Sequence, residues 1–459
     1  MSYQTDRNTM SYSAASTPDS IDTRSAPSPQ EGKPHRIVIV GGGAAGLVLA
    51  TRLGDTLGRR ERAVVTLVER TRTHLWKPLL HEVAAGTVKP SEHEVEHVVH
   101  AHRHAYRYRQ GTMVGLDRAR RLVKLSAPVD HTGREITPAN DVAYDTLVIA
   151  IGSVSNDFGT PGAAEHAVPL DTAAHAIRFR HRLVNACTRP GSQDGPIKPG
   201  LLHVAIIGAG ATGTELAAGL HRTLRTLRAL VANGVHRIDV ERDIRIVLIE
   251  AAPRILPLFP EHTARVVRSL LVNQGIRVHT KRRVAEVRAD GVKLDDGTLI
   301  ASELMIWAAG VKGPALLSRL DGLEATSRNQ LVVNADLSTS RDPNIFALGD
   351  CAAAPRLDTG GLVPPRAQAA HQMASHLANQ MERRLDRRRL MPFCYRDYGA
   401  LVSLGPHTTV GNLKGPSSEH SIFIKGKVAH LMYMSLYKMH ELSLHGAGHV
   451  AFKTLARSL

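Results

Sequence analysis

Apolar residues along the chain fall into short continuous runs and into longer stretches with helical spacing. The run HRIVIV (35–40) predicts a buried strand, and the residues after it repeat apolar positions at the period of an α-helix. A second buried run, AVVTLVE (63–69), follows that helix. The same succession recurs from LLHVAII (201–207) to IRIVLIE (244–250). Two strand–helix–strand units predict an α/β fold with two Rossmann-like domains.

A glycine-rich turn joins strand to helix in both units. The glycines occupy the Gly-x-Gly-x-x-Gly positions in each copy: Gly41, Gly43 and Gly46, then Gly208, Gly210 and Gly213. The first glycine allows a tight turn, the second lets the backbone approach a pyrophosphate, and the third permits close helix–strand packing. Glu69 and Glu250 end the following strands, where a carboxylate accepts hydrogen bonds from a ribose. We predict two dinucleotide sites; a vestigial second site is the alternative.

The residues around these units suggest which dinucleotides bind. Glu250 favours NADH over NADPH, although Arg254 follows it closely and leaves tolerance of NADPH open. The strand YDTLVIAIGS (144–153) ends in small residues that include Gly152. The strand NIFALGDCAA (344–353) brings Asp350 to a position where it can accept hydrogen bonds from the ribityl chain of FAD. We therefore expect non-covalent FAD at the first unit and NADH as substrate at the second.

Composition and charge limit the class of protein. The chain has 459 residues, enough for two or three domains, and 58 Lys and Arg against 42 acids give a net charge of +16. This excess favours an anionic partner, either nucleic acid or an acidic membrane surface. Residues 1–34 contain few large apolar groups, so we predict a disordered tail, and it has no apolar core of a secretory signal. The chain contains no run of 18 apolar residues, so we expect no membrane-spanning helix.

The cysteines and histidines give no signature of a metal site. Cys187, Cys351 and Cys394 show neither C-x-x-C nor C-x4-C spacing, so a disulfide framework, an iron–sulfur cluster and structural zinc are not expected. The absence of C-x4-C after the first unit also argues against thiol exchange. Histidines are dense between residues 93 and 104 without the ordered spacing of metal ligands. We interpret that segment as an exposed basic helix or strand edge.

Several stretches resemble a known family. VGGGAAG, IGAGATGTELA, WAAGV and NIFALGDCA are similar to the two-dinucleotide flavoprotein oxidoreductases. More narrowly, five segments resemble type II NADH dehydrogenases, which are single-polypeptide, non-pumping NADH:quinone oxidoreductases. These segments are RTHLWKPLLHEVAAGT (72–87), IAIGSVSNDFGTPG (149–162), PRILP (253–257), AQAAHQ (367–372) and MSLYKMHELSLHG (434–446). The resemblance runs from about residue 35 to the end and implies an enzyme that transfers hydride from NADH to flavin and then reduces a membrane quinone, ubiquinone or menaquinone.

The resemblance implies roles for individual residues. Val114 matches the backbone position that faces adenine, and Glu215 matches an acid near nicotinamide and flavin. An acid in the first turn of a helix, favoured there by the helix dipole, is the alternative for Glu215. The implied domains are a discontinuous FAD domain (35–160 and 308–392), an NADH domain (161–307) and a C-terminal β and helical region (393–459).

The segment PPRAQAAHQMASH (364–376) predicts a helix with both of its glutamines on one face. Its alanines, Ala370 among them, allow the helix to approach the isoalloxazine closely. We expect Gln368 and Gln372 to face the ring and an adjacent quinone pocket, where neutral amides can hydrogen-bond quinone carbonyls. A capped helix with two solvent-facing amides is the alternative.

The C-terminal segment combines apolar and basic residues. One stripe at helical spacing holds Val428, Met432, Leu436, Met439 and Leu442, and around it lie Lys425, Lys427, Lys438, Lys453 and Arg457. This pattern predicts a helix in the interface of an anionic membrane, or one that faces the core or a second subunit. We expect a peripheral protein on the cytoplasmic face of the bacterial inner membrane, without nucleic acid and as a homodimer.

Three other functions stay open on the sequence. A sulfide:quinone oxidoreductase would need a reactive cysteine pair, for which only Cys187 and Cys394 are candidates. A ferredoxin or rubredoxin reductase would share the fold but has less use for the basic, membrane-like C-terminus. A non-enzymatic redox sensor would carry FAD as a structural group only.

Overall fold

The computed structural model describes residues 34–130, 132–188, 202–230, 244–405, 408–415 and 421–456. The predicted disordered tail lies outside these residues except for Pro34. Arg457 also lies outside them, as does the side chain of Lys453.

The first glycine turn belongs to a six-stranded sheet. Its strands lie in the order Ser338–Thr339, Asp342–Ala347, Thr146–Ile149, His35–Val40, Ala63–Glu69 and Arg107–Gln110, all parallel except the Ser338–Thr339 edge. Ile37 and Ile39 are fully buried on this sheet, as expected of a central parallel strand covered on both faces. The helices Gly46–Leu53 and Ala367–Leu385 contribute to the same core.

The second glycine turn belongs to a separate five-stranded parallel sheet. Its strands lie in the order Val168–Pro169, Leu304–Trp307, Leu202–Ile207, Ile244–Ile249 and Arg277–His279. The helix Ala211–Leu230 follows its central strand and supplies fully buried side chains such as Leu216 and Leu220 to the core. Two parallel sheets, each carrying a glycine turn after its central strand, confirm the predicted α/β fold class. The predicted domain bounds stay a prediction.

Smaller sheets and helices complete the described chain. Three antiparallel sheets comprise Thr112–Asp117, Leu122–Ser126 and Asn140–Ala143; Val284–Arg288, Gly291–Leu294 and Leu299–Ala301; and Gly399–Ser403, Thr409–Lys414 and Ser421–Lys425. Three strand pairs are Thr73–His74 with Val95–Glu96, Val154–Ser155 with Val311–Lys312, and Leu331–Val332 with Ala352–Ala353. The other α-helices are Leu80–Ala85, His97–Arg103, Ala163–His166, Ala173–Thr188, Glu261–Asn273 and Lys427–Ala456. Single turns are Lys77–Leu79, Pro90–Glu92, Ala315–Arg319 and Gly349–Cys351, with a π-turn at Gly54–Gly58.

The helix Lys427–Ala456, called the C-terminal helix below, packs between the small C-terminal sheet and the first sheet's domain. Ala429 and Leu444 are buried along one of its faces, and Leu444 belongs to the core of the first sheet. A kink interrupts the helix at Gly446, whose φ of +75° no helical residue adopts. Within the described part of the chain, no helix has the length and hydropathy needed to cross a bilayer.

Candidate active site

The first glycine turn leaves a gap for a ligand at its middle glycine. Gly41 has a φ of +104° and lies against the backbone of Ala150, while Gly46 lies against the carbonyl of Gly41. A side chain at either position would collide with backbone. A methyl group at Gly43, in contrast, would meet no atom within 4 Å. The turn is therefore closed on the protein side and open where a pyrophosphate would bind.

The second glycine turn repeats this geometry. Gly208 has a φ of +102°, and a side chain there would come within 2.7 Å of the backbone of Ala309. Gly213 lies against the carbonyl of Gly208, and Gly210 is open, with no atom within 4 Å of a methyl group placed on it. Both turns thus have the shape that a dinucleotide requires, and an intact second turn disfavours a vestigial site.

Each strand-end glutamate is bonded to the glycine turn of its own unit. Glu69 accepts hydrogen bonds from the backbone N–H groups of Gly42 at 2.6 Å and Arg70 at 2.8 Å. Glu250 accepts equivalent bonds from Ala209 at 2.8 Å and Ala252 at 2.9 Å. These bonds fix both carboxylates beside their turns, and the ribose contact stays a prediction.

Arg254 is turned into its own loop. Its two terminal guanidinium nitrogens donate to the carbonyls of Leu256 and Pro257, each at 3.0 Å. A 2′-phosphate would have to compete with these two bonds, so the described conformation favours NADH.

The predicted flavin-binding residues from distant segments come together at the first turn. A methyl group on Gly349 would lie 3.6 Å from the side chains of both Ala45 and Ala370, so the turn, the Asp350 loop and the helix Ala367–Leu385 meet there. Asp350 accepts a hydrogen bond from the Ser153 hydroxyl at 2.7 Å. Gly152, next to it, has a φ of +69° and no atom near the position of a side chain.

Val114 is placed at a surface position. It lies in the strand Thr112–Asp117 at an irregularity of the pairing with Leu122–Ser126, and its side chain is 53% exposed. The structure therefore leaves its backbone free of regular pairing at the site where the adenine contact is predicted.

The two glutamines bind a segment that the sequence did not single out. Gln372 donates to the carbonyl of Arg396 at 2.8 Å and accepts from the N–H of Arg396 at 3.0 Å. Gln368 donates to the carbonyl of Gly399 at 3.1 Å. Both side chains are half-buried, and the bonds of Gln372 lie at an exposed place, so solvent-facing amides remain the alternative. Gln372 keeps one amide N–H beyond its bond to Arg396, whereas Gln368 also donates to the Asp397 carboxylate at 3.5 Å. The quinone contact stays a prediction.

Glu215 is buried among polar groups from three other elements. Its side chain is 7% exposed and accepts the N–H of Ser403 at 3.0 Å, and it is hydrogen-bonded to Tyr433 of the C-terminal helix. Nδ1 of His81 lies 3.8 Å from its second oxygen. Burial raises the pKa of Glu215 to about 8, and burial also lowers the pKa of His81 to about 4.

These shifts set the charge of the Glu215 cluster. At neutral pH the carboxyl of Glu215 mostly keeps its proton and His81 is neutral. Burial also raises the pKa of the neighbouring Glu82 carboxyl. A buried carboxyl whose pKa lies near neutrality is typical of proton-handling sites, and the role of Glu215 stays a prediction.

The histidine-rich segment differs from its interpretation as an exposed basic element. His97, His100 and His104 are all buried, and His100 hydrogen-bonds the carbonyl of Leu444 at 3.0 Å and the hydroxyl of Tyr106 at 2.9 Å. Only His102 of this group is exposed. The described residues hold no cluster of three or more ligating side chains arranged for a metal ion.

The cysteines do not supply a reactive thiol pair. Cys187 and Cys351 are buried, and burial raises the pKa of each thiol to about 11. A thiol with such a pKa is protonated at neutral pH and therefore a poor nucleophile. Cys394 is exposed, so the pair that a sulfide-oxidising site needs would have an unreactive member in Cys187.

Comparison with known proteins agrees with this site. A family model described as pyridine nucleotide-disulphide oxidoreductase matches residues 35–374. A type II NADH:quinone oxidoreductase of Haemophilus influenzae is 39% identical over 422 residues, which cover 89% of this chain and 94% of the relative. A type II NADH:quinone oxidoreductase of Mycobacterium tuberculosis is 29% identical, with 94% of this chain and 88% of the relative covered.

Solved structures share the fold at low identity. NDH2 of Plasmodium falciparum in complex with NADH superposes with a TM-score of 0.74 at 18% identity, covering 88% of this chain and 94% of that one. The sulfide:quinone oxidoreductase of Aquifex aeolicus superposes with a TM-score of 0.69, also at 18% identity, covering 90% and 92%. At this identity the likeness concerns the fold alone.

Proposed function

The chain belongs to the pyridine nucleotide-disulphide oxidoreductase family and, within it, to the type II NADH:quinone oxidoreductases, and we propose that it oxidises NADH and reduces a quinone. FAD, when bound, supplies the hydride acceptor and the two-electron carrier between the two substrates. The observation that carries the proposal is the pair of matching glycine turns, each open at its middle glycine and each flanked by a bonded glutamate. One chain thus has a site for each dinucleotide.

The residues of the first unit fit FAD. Gly43 leaves room for the pyrophosphate, Glu69 is fixed for the adenosine ribose, and Asp350 is fixed by Ser153 for the ribityl chain. Gly152 and Ala370 present no bulk on the flavin side. Their contribution would be to bind and orient the cofactor.

The residues of the second unit fit NADH as the substrate. Gly210 leaves room for the pyrophosphate, and Glu250 is held by two backbone N–H groups where it can accept from a free 2′-hydroxyl. A 2′-phosphate would meet that carboxylate and would be repelled by it. We therefore propose that NADH is preferred over NADPH.

Glu215 is proposed to hold a proton next to the reacting groups. Its pKa of about 8 lets it change protonation near neutral pH, as a general acid must. The product quinol carries two more protons than the quinone, so a proton donor at the site has a use. Gln372 is proposed to orient the quinone with the amide N–H that its bond to Arg396 leaves free, and Gln368 is proposed to line the same pocket.

The C-terminal helix is proposed to attach the protein to an anionic membrane surface. Val428, Leu431 and Met439 are 65%, 71% and 53% exposed along one side of it. Of the predicted stripe, Leu436 and Leu442 are also exposed, whereas Met432 is half-buried. Lys425 and Lys427 are exposed at the start of the helix. An apolar face flanked by lysines suits a helix that lies in the lipid interface on the cytoplasmic side.

Anaerobic stopped-flow of the purified holoprotein tests the enzymatic proposal. NADH should bleach the long-wavelength flavin band, and an added quinone should restore it. Bleaching by sulfide and not by NADH would instead support the sulfide-oxidising alternative.

Co-sedimentation with vesicles tests the membrane proposal. Binding to anionic vesicles should exceed binding to zwitterionic ones and should fall when Leu431 or Met439 is replaced by glutamate. If both variants bind vesicles normally but a dimer seen in analytical ultracentrifugation is lost, the exposed face is a subunit interface.

A further inference from the structure

Two histidines from distant parts of the chain meet behind the first glycine turn. His74 ends the strand Thr73–His74, and His440 lies on the C-terminal helix, 366 residues further on. Their Nε2 atoms are 3.1 Å apart, and both side chains are 6% exposed. Trp76 stacks on the His440 ring with 5.2 Å between ring centroids and 14° between planes. The ring of His440 is therefore held in one orientation.

His74 also reaches the glycine turn. Its ring donates a hydrogen bond to the backbone carbonyl of Gly42. The N–H of the same residue, Gly42, donates to Glu69 at 2.6 Å. Gly42 is thereby bonded on both of its backbone polar groups, and it directly precedes Gly43, the open glycine of the turn. Both bonds thus act on the residue next to the glycine where a pyrophosphate is proposed to bind.

The contact requires a defined set of protons. A neutral imidazole has one N–H, and His74 uses it on Gly42. Its Nε2 must then accept, so His440 must donate from its own Nε2. Burial keeps both rings neutral by lowering their pKa values, to about 4 for His74 and about 2 for His440. The titratable groups that face this pair are His97, Glu69, His371 and His445.

We propose that His440 is a positioning residue for FAD, which it acts on through His74 and the carbonyl of Gly42. We call this chain of bonds the histidine relay. Retention of FAD then depends on the packing of the C-terminal helix, because displacing that helix removes the bond from His440 to His74 and loosens the turn. The inference rests on the proposed binding of FAD at the first turn and goes beyond it by making the distant C-terminal helix part of that site.

The test measures release of FAD from the full-length holoprotein. After dilution, the fluorescence of freed flavin gives the release rate. His440→Phe keeps an aromatic ring against Trp76 but removes the donor, and release should become about tenfold faster, the equivalent of one hydrogen bond of about 1.4 kcal/mol. His440→Gln, whose amide N–H can donate to His74, should restore much of the slow release.

A matched control separates the histidine relay from general loosening of the helix. His371 also binds the C-terminal helix, through the hydroxyl of Ser443 at 3.2 Å, but it does so from the helix Ala367–Leu385 and not through Gly42. His371→Phe should therefore release FAD within about twofold of the wild-type rate.

Two results would overturn the proposal. One is a His440→Phe rate equal to that of the wild type, and the other is equal acceleration by His371→Phe. Circular dichroism verifies that each variant is folded. A wild-type protein that holds FAD but shows no NADH:quinone turnover would contradict the proposed function. The FAD release rates would still decide on the role of His440.

Discussion

The replacement Glu215→Gln should stabilise the protein, and increasingly so as the pH rises from 5 to 8. The substitution keeps the size of the side chain and an oxygen for the Ser403 N–H, while it removes the charge that burial disfavours. Glu215 is 7% exposed, so solvent screens it little. The wild-type carboxyl changes protonation when the chain unfolds, and the glutamine does not.

The sign and size of the effect follow from the pKa of Glu215. Folding raises that pKa from 4.5 to about 8, so the folded protein binds more protons than the unfolded chain between these values. The contribution of Glu215 to wild-type stability therefore falls as the pH rises through this window, whatever other groups contribute. At pH 7 the raised pKa of Glu215 lowers the free energy of unfolding by about 1.36 kcal/mol for each of roughly 2.5 pH units, or about 3 kcal/mol. At pH 5 this reduction is below about 1 kcal/mol on the same basis.

Thermal unfolding of the FAD-loaded proteins measures this difference. The melting temperature of Glu215→Gln minus that of the wild type should be close to zero at pH 5 and should grow to several degrees at pH 8. His81, next to Glu215, is present in both proteins, so its own titration largely cancels in the difference. Glu261→Gln is the control, because its side chain is 71% exposed. A difference that stays flat, or grows toward acid pH, would refute a buried protonated carboxyl at position 215.

Three further predictions follow from other parts of the structure. Lowering the pH from 6.5 toward 4 should lower the melting temperature of the wild type, because the unfolded chain binds more protons than the folded protein in this range. Folding depresses the pKa of His74 and His81 to about 4 and that of His100 to about 3. A melting temperature constant over this range would contradict the prediction. Gly210→Ala should raise the KM for NADH at least tenfold with FAD content unchanged, because the methyl group fills the gap in the second turn; an unchanged KM places NADH elsewhere. Gln372→Ala should slow reoxidation of reduced flavin by quinone and leave reduction by NADH intact in stopped-flow, and equal loss of both half-reactions counts against a quinone contact.

The features predicted well from the sequence are those whose physical cause is local. A glycine is needed at 41 and 208 because backbone lies directly against both positions, while 43 and 210 are open where a ligand is proposed to approach. Such requirements act within a few residues and leave a readable spacing. The α/β fold class followed from the same turns and from the continuous apolar runs beside them.

The features that the sequence did not reveal depend on partners far away in the chain. The segment between 93 and 104 was interpreted as an exposed basic helix or strand edge, because its histidines lack the spacing of metal ligands. In the structure a distant element covers it. The covering is the C-terminal helix, whose Leu444 carbonyl bonds His100 across 344 residues. The backbone partners of Gln372 and the bond from Tyr433 to Glu215 are equally non-local. A single sequence contains no spacing that links such positions.

The C-terminal helix contacts both dinucleotide units, and this arrangement bears on how attachment and chemistry are connected. Tyr433 is hydrogen-bonded to Glu215, the fifth residue of the helix in the second unit. His440 contacts His74 behind the glycine turn of the first unit. Tyr433 and His440 are seven residues apart, two turns of one helix face. Leu431 and Met439 lie on the outward side. The helix therefore turns outward the face that is proposed to bind a membrane, while its inner face contacts both dinucleotide units. Displacing that helix should disturb the protonation of Glu215 and the retention of FAD together, whereas a change in either glycine turn should disturb only one.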